Sequence, residues 1–281
     1  MKTRAILLCL ISLSLIEIFA QKSTIKVVGS EIMRPFMQKL ADAYMKKNPK
    51  VKIIIDGGHT NVGILQLSSG TEIDLVMSSR ALREYELIQL NLRNGFPPYQ
   101  IPIAMSCLAI FVHPNNPVKA LSFEDLIRIY ADEAPNWKEF GGLDTPIKPY
   151  SLSSYRGTFL YFKKTILDGR RLGNNVIEVD STDLMMPDII KNPSAVGYGS
   201  PDYAKNKPVK ICPIKVHKDS AAYLPTYENA VNGNYPVTRN LFLICREQPT
   251  GILRDFMQWV LTPEAQRMLL EFGVFPIRPV D

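Results

Sequence analysis

The sequence predicts an α/β protein built from two lobes. First, a chain of 281 residues exceeds the usual size of a single domain and can bury a generous core. Second, short β-branched runs alternate with amphipathic helical stretches, an order typical of α/β sheets. Third, several strands are followed by small polar turns that are rich in Gly, Ser, Thr, Asn and Arg. The hydrophobic content of 46% and the charged content of 21% are ordinary for a globular chain.

The first twenty residues have the layout of a secretory signal peptide. Lys2 and Arg4 precede an apolar run that ends at Ala20. Glu17 shortens the uninterrupted run, which argues against a permanent anchor, since an anchor needs about 20 apolar residues. We expect cleavage near Ala20, a periplasmic or secreted mature protein, and no stable insertion into a membrane.

The first β-turn-α unit follows this segment. Ile25 to Val28 is a β-rich run that leads into Gly29-Ser30, and Pro35 restricts the next helix to a start nearby, because proline is accepted only in a first turn. Helical spacing puts five apolar side chains on one face: Phe36, Met37, Leu40, Ala41 and Tyr44. We expect an exposed helix with one buried stripe.

Two further units repeat the pattern. Residues 51–55 form a nearly continuous β-branched run, as in a strand covered on both faces, and Thr60 or Asn61 is a suitable N-cap for the helix that follows. Residues 73–77 form a third strand, which is followed by a further helical stretch. Arg80, which follows this third strand, has the helical spacing to pair with a carboxylate such as Glu84.

The rest of the chain supplies the second lobe and the return to the first. We place one crossing between lobes where the buried run 108–112 is stopped by two prolines, and the return crossing at 210–216. The predicted lobe limits are 21–110 and 215–281 for lobe 1 and 111–214 for lobe 2. Helices are predicted after the capping box at Ser122, after the turn 153–158, after Ser181, over 250–261 and from Thr262.

Charge and spacing exclude several functions. The net charge of +6 becomes +5 without residues 1–20, and no clustered Lys/Arg stripe suggests a nucleic-acid partner. The chain has no G-x-S-x-G elbow and no P-loop, so we expect no enzyme. The histidines lie far apart in sequence: His59, His113 and His217. We therefore expect no metal and no cofactor.

Three cysteines remain after cleavage: Cys107, Cys212 and Cys245. The first and last lie in strongly apolar runs, so we interpret them as buried free thiols, because apolar cysteines behave as small hydrophobes. One disulfide remains an alternative at this stage.

The polar turns suggest a ligand. A turn that opens a helix exposes free backbone N–H groups, and these groups bind anions. Because the pattern recurs after several strands, capture of a small oxyanion is the leading hypothesis. Most Ser and Thr residues at such positions are also N-caps, and the two roles are compatible.

The chain also resembles a known family. Eight segments occur in the order, and near the spacing, of bacterial phosphate-binding proteins that serve ABC importers: GSEIMRP, GTEIDLVMSSRAL, LAIFVHPNNPV, LSFEDLIRIY, NWKEFGG, SAVGYGSPDYA, YPVTRNLFL and LTPEAQRMLLEFG. The resemblance covers about residues 24–277 and implies a type II periplasmic-binding-protein fold, in which two α/β lobes are joined by two crossing strands around a ligand cleft.

The resemblance also implies a site. In the family, backbone N–H groups and hydroxyls from four turns hold the oxyanion. The positions carried over to this chain are Ser30, Glu31, Ile32, Thr60, Asn61, Ser78, Ser79, Ser154, Arg156, Gly157 and Thr158.

Some of these positions depart from the family pattern. Glu31 stands where the family usually has Thr, and Leu152 stands where it has an anion-binding Arg. Arg156 is a candidate replacement, since its guanidinium fork suits phosphate. Ser79 replaces an Asp that accepts the proton of hydrogen phosphate, and His59 enlarges a turn usually built from Gly and Ser.

Two functions follow from these readings. The first is a monomeric, secreted solute-binding protein that captures phosphate or a related oxyanion and passes it to an ABC permease. The alternative is a sensor or interaction protein that keeps the scaffold with weakened or altered ligand binding, a reading motivated by Glu31, Leu152 and His59.

Overall fold

The computed structural model describes residues 24–131, 136–278 and residue 280. The predicted signal peptide lies outside these residues. The described chain contains two main sheets, one in each lobe, and their strands alternate with helices along much of the sequence. None of the helices in the described ranges is long and apolar enough to cross a membrane.

The first sheet has six strands in the order β13-β4-β12-β3-β1-β2. Strands β1, β2 and β3 are parallel, whereas β4, β12 and β13 are added in antiparallel pairings. The strands are β1 Thr24–Gly29, β2 Lys52–Ile55, β3 Leu75–Ser78, β4 Tyr99–Cys107, β12 Thr238–Cys245 and β13 Phe275–Pro276. The helices of this lobe are α1 Arg34–Lys47, α2 Thr60–Ser69, α3 Glu84–Asn94, α8 Gly251–Val260 and α9 Pro263–Leu269.

The second sheet has five strands in the order β10-β5-β9-β7-β8, and β6 pairs with β11 beside it. The strands are β5 Ala109–Val112, β6 Leu121–Ser122, β7 Lys148–Leu152, β8 Ile177–Val179, β9 Ala195–Gly199, β10 Lys210–Cys212 and β11 Ile214–Lys215. The helices of this lobe are α4 Phe123–Tyr130, α5 Gly157–Thr165, α6 Thr182–Lys191 and α7 Tyr227–Val231.

Each lobe has its own hydrophobic core. The buried face predicted for α1 is confirmed, because all five of its apolar side chains are buried against the first sheet and against α8. Tyr44 meets the Phe256 ring edge-on at 5.2 Å. In the second lobe, Phe162 stacks on Tyr198 at 4.0 Å between ring centroids. Such buried aromatic pairs contribute about 0.5–1.5 kcal/mol beyond the area they bury.

The two crossings between lobes lie side by side. The chain leaves the first sheet at Cys107 and enters the second at Ala109, and it returns between Val237 and Thr238. The backbone N–H of Leu108 donates to the Val237 carbonyl at 3.0 Å, which joins the crossings. The first crossing therefore lies close to its predicted position.

The return crossing lies later than the sequence suggested. Residues 210–216, where we expected it, form β10 and β11, which pair with β5 and β6 of the second lobe. Tyr235 and Val237 also belong to the second core. An apolar β-branched run looks the same in sequence whether it crosses between lobes or pairs within one, so the predicted boundary at 214/215 precedes the observed re-entry at Thr238.

Several helices begin at a capping residue. The capping box at Ser122 is confirmed, since Ser122 and Asp125 exchange both expected hydrogen bonds. Ser181 and Thr262 occupy the predicted N-cap positions. For α2 the N-cap is His59, and Thr60 is already the first helical residue. The three cysteines are buried and free.

Candidate functional site

A cleft of about 1110 Å³ lies between the lobes. Its walls include four segments that each connect a strand to a helix. In chain order, these are the first turn, 29–33, before α1; the second turn, 56–61, at the start of α2; the third turn, 78–83, before α3; and the fourth turn, 152–158, at the start of α5. The first three segments belong to the first lobe and the fourth to the second. The cleft is therefore lined by residues of both lobes.

The first turn is held against β3. Gly29 has a φ of +130°, and a Cβ atom there would lie 2.2 Å from the Met77 carbonyl oxygen, so only glycine fits. The Ser30 N–H donates to the same carbonyl at 2.8 Å and is not free for a ligand. The Ser30 side chain, with Glu31 and Ile32, lines the cleft.

The Glu31 carboxylate reaches the second turn. Its Oε1 atom accepts a hydrogen bond from the Gly58 N–H at 2.6 Å. A Cβ atom on Gly57 would lie only 1.7 Å from the same oxygen, so glycine makes room for this contact. Arg34 lies 3.8 Å from the other carboxylate oxygen, and both side chains are about half exposed. The Gly58 N–H is thus already paired with a negative group of the protein itself.

Hydroxyl and amide groups connect the second turn to the third. Thr60 Oγ1 accepts the Ser79 N–H at 3.1 Å and lies 3.2 Å from the Ser79 hydroxyl. Asn61 Oδ1 accepts a hydrogen bond from Arg80 Nη2 at 2.7 Å. These contacts fix the two turns relative to one another before any ligand binds.

Arg80 pairs with Glu86, not with Glu84 as its helical spacing suggested. The guanidinium forms two hydrogen bonds with the Glu86 carboxylate, at 2.7 and 2.8 Å. Burial alone raises the pKa of Glu86, but hydrogen bonds from Arg80 and from the Arg83 backbone outweigh burial and lower that pKa. The carboxylate also accepts the Arg83 N–H in a capping box at the start of α3, and so holds Arg80 within the third turn.

The fourth turn opens α5. Asp180 Oδ1 accepts hydrogen bonds from the Ser153 and Tyr155 hydroxyls at 2.7 and 2.6 Å, and these bonds lower the pKa of Asp180. The Arg156 guanidinium lies over the Tyr155 ring, 5.1 Å from its centroid. Gly157 begins the helix, and a Cβ atom there would meet nothing within 4 Å.

Leu152 ends β7 directly before this turn. Its side chain is buried in the second core, and its N–H donates to the Tyr198 hydroxyl at 3.2 Å. That hydroxyl also lies 2.8 Å from Ser151 Oγ. The position at which the family carries an arginine is therefore used here for packing.

Most of the predicted site residues line this cleft. Those that do are Ser30, Glu31, Ile32, Thr60, Asn61, Ser79, Arg156, Gly157 and Thr158. Ser78 does not, because it is fully buried as the last residue of β3 and its hydroxyl bonds to the Arg80 carbonyl. Ser154 is exposed at the outside of the fourth turn.

Sequence reasoning missed Arg239 and Tyr161. Arg239 is in β12, Tyr161 is in α5, and both line the cleft. The guanidinium carbon lies 4.3 Å from the centroid of the Tyr161 ring. The available signal was an arginine next to an apolar strand in YPVTRNLFL. Across the described ranges, no group of three or more His, Cys, Asp or Glu side chains is arranged to hold a metal ion.

Comparisons with known proteins identify the family and the fold. The model of the PBP superfamily domain matches residues 20–264, and the chain belongs to that superfamily. A phosphate-binding protein, PstS, from Pseudomonas aeruginosa is 27% identical over 267 residues, covering 89% of this chain and 82% of the relative.

Solved structures are similar over nearly the whole chain. An ABC-type phosphate transport receptor from Vibrio cholerae has a TM-score of 0.77 and 25% identity, covering 92% of this chain and all of the receptor. A phosphate ABC transporter substrate-binding protein with bound phosphate, from Clostridium perfringens, has a TM-score of 0.70 and 27% identity, covering 91% of this chain and all of that one. The predicted type II periplasmic-binding-protein fold is confirmed.

Proposed function

We propose that this protein captures phosphate in the cleft between its lobes and delivers it to an ABC importer. The proposal includes export of the mature chain, cleavage near Ala20 and a monomeric state. It is supported by relatives named phosphate-binding proteins and by a similar structure described as containing phosphate.

The observation that carries the proposal is the start of α5 in the cleft wall. Gly157 and Thr158 are its first two residues, and the first N–H groups of a helix have no partner within the helix. The helix dipole adds about half a positive charge at this end. The first lobe offers Ser30, Thr60 and Ser79 from the opposite wall. An oxyanion between these groups receives hydrogen bonds from both lobes, so its binding favours closure.

The sensor reading is not favoured by these comparisons. Its three motivating residues have local explanations, because Leu152 packs in the second core, Glu31 bonds to the second turn and His59 is the N-cap residue of α2. No catalytic step is proposed either, because a binding role needs only donors and closure.

Substitution of Gly157 by Ala tests the site with little effect on folding. The position is helical, its surroundings are open, and alanine favours a helix over glycine by up to about 1 kcal/mol. A methyl group there nevertheless occupies the space through which an anion approaches the N–H groups. We expect unchanged or higher stability and an affinity for phosphate about 10- to 100-fold lower, the loss of one charge-assisted hydrogen bond.

The assay is isothermal titration calorimetry of phosphate into protein freed of bound anions. Ser154→Ala is the matched control, since Ser154 belongs to the same turn and does not line the cleft. Absence of heat from the unaltered protein at millimolar phosphate would overturn the proposed function. Equal affinities for Gly157→Ala and Ser154→Ala would remove the start of α5 from the site.

A further inference from the structure

Arg239 lines the cleft next to the segments that join the two lobes. It is the second residue of β12, the strand with which the chain re-enters the first sheet, and its register partner on β4 is Ser106. Both residues lie next to the paired crossings, and both line the cleft. The guanidinium therefore lies at the hinge end of the ligand space.

The charge of Arg239 lacks an acidic partner. Its Nε atom is buried and has no hydrogen-bond partner among the described residues. The only described group that acts electrostatically on the pKa of Arg239 is Tyr161, and no described carboxylate does so. Burial lowers the pKa of Arg239 to about 10, and only the Tyr161 hydroxyl opposes that effect. A guanidinium with this pKa is still charged at neutral pH. Arg239 is partly exposed at the cleft, so its charge is only partly hydrated, and a partly hydrated charge without a counter-charge lowers stability.

The other described arginines of the cleft are compensated. Arg80 is paired with Glu86 through two hydrogen bonds. Arg83 donates to the Tyr85 hydroxyl and faces the same carboxylate. Arg156 is exposed to solvent on the fourth turn, and its charge contributes to lowering the pKa of Asp180. Among the cleft arginines that the structure describes, Arg239 is the one without an acidic partner in the protein, so its charge is available to an anion in the cleft.

Tyr161 holds this guanidinium in place and connects it to the second lobe. The ring lies 4.3 Å from the guanidinium carbon, the distance of a cation–π contact. Burial raises the pKa of Tyr161 to about 12, so its hydroxyl is neutral and does not supply the missing negative charge. Because Arg239 is in the first lobe and Tyr161 in the second, an anion bound to Arg239 is held at the contact between the lobes.

We propose that Arg239 binds the captured oxyanion directly, as a charged donor on the hinge strand. This inference rests on the proposed function and adds a ligand-binding residue to it. A guanidinium presents several N–H groups in a fixed fork that matches the oxygen spacing of phosphate. Arg239 then supplies the positive charge that Leu152, packed in the second core, does not provide.

The test compares Arg239→Met with Arg254→Met. Arg254 is an exposed arginine of α8 that pairs with Asp255 and does not line the cleft, so it controls for loss of one positive charge. Calorimetry with inorganic phosphate should show an affinity about 10- to 100-fold lower for Arg239→Met, as expected for the loss of a charged hydrogen bond. Arg254→Met should bind like the unaltered protein.

Thermal unfolding separates binding from a structural role. Without phosphate, Arg239→Met should unfold at the same or a higher temperature than the unaltered protein, because a partly buried charge without an acidic partner is removed. With phosphate, its gain in unfolding temperature should be much smaller, since stabilisation by a ligand follows its affinity. A structural arginine gives the opposite pattern, with a lower unfolding temperature and an undiminished gain.

The outcomes distinguish the two proposals. No phosphate binding by the unaltered protein refutes the proposed function. Phosphate binding by the unaltered protein with equal affinity for Arg239→Met refutes only the role of Arg239. If the Met variant does not fold, Arg239→Gln, which keeps a polar side chain, replaces it, and the same loss of phosphate affinity is expected. Normal phosphate affinity in Arg239→Gln also refutes the binding role of Arg239.

Discussion

Replacement of Glu86 by Gln should destabilise the first lobe and weaken the site. The Glu86 carboxylate is 7% exposed and accepts four hydrogen bonds: from Arg80 Nη1 at 2.7 Å, from Arg80 Nη2 at 2.8 Å, from the Arg83 N–H at 2.8 Å and from the Tyr85 hydroxyl at 3.3 Å. Glutamine keeps one acceptor oxygen but removes the charge and turns an N–H₂ group toward the guanidinium.

The magnitude follows from this geometry. Removal of one partner from a buried ion pair costs about 3–5 kcal/mol. The Arg80 side chain is 24% exposed and regains some hydration, which places the expected loss at the lower end, about 3 kcal/mol. Because Arg80 also donates to Asn61, the second turn should loosen as well, and phosphate affinity should fall with stability.

Urea unfolding at pH 7 measures the loss as a shift of the midpoint at constant slope. Glu84→Gln is the matched control, since Glu84 is an exposed acid in the same helical turn, and its effect should stay within about 0.5 kcal/mol. The reasoning is refuted if the two variants differ by less than about 1 kcal/mol, well below the cost of breaking a buried pair.

The pH dependence gives a second check on the same residue. The pKa of Glu86 is lowered in the folded protein, so its contribution to stability is present above the pKa of the unfolded chain, about 4.3. That contribution is lost as the pH falls through the folded pKa. The gap between Glu86→Gln and the unaltered protein should therefore be widest near pH 7 and should close below pH 4.

Three further predictions concern the cleft and the core. Glu31→Gln keeps an acceptor for the Gly58 N–H but removes a negative charge from the cleft, so calorimetry should show phosphate affinity about 5-fold higher, roughly 1 kcal/mol; lower affinity would contradict this. Tyr198→Phe leaves the Leu152 N–H without its acceptor and should cost about 2 kcal/mol in urea unfolding; a neutral result would contradict the role of this bond. The three buried cysteines have pKa values raised to about 11 or 12 by burial, so Ellman's reagent at pH 8 should label them only after denaturation; rapid labelling of the native protein would show that they are accessible.

Local patterns were sufficient to predict much of the fold. The buried face of α1 follows from helical periodicity, and the capping box at Ser122 follows from two residues three apart. Both depend only on neighbours in sequence. The return crossing does not, because Lys210–Cys212 and Leu241 to Cys245 can each form a strand, and only pairing with β5 or β4 shows to which lobe each strand belongs.

The candidate site was predicted less completely for a related physical reason. Turns between a strand and a helix are visible in sequence, but the direction of a side chain within the turn is not. Ser78 and Ser79 are adjacent and chemically identical, yet Ser78 is buried as the last residue of β3, whereas Ser79 lies in the turn that follows and lines the cleft. Arg239 was missed because Tyr161, the ring that it contacts, is 78 residues away in sequence.

The charges of the cleft also constrain where a captured anion lies. The Glu31 carboxylate already occupies the Gly58 N–H, so that part of the cleft repels a second negative group. The start of α5 and the uncompensated guanidinium of Arg239 attract one. If phosphate binds as proposed, it lies nearer the hinge and the fourth turn than the second turn. The higher affinity expected for Glu31→Gln should then be lost in the double variant with Arg239→Met, because the stronger binding still depends on the guanidinium.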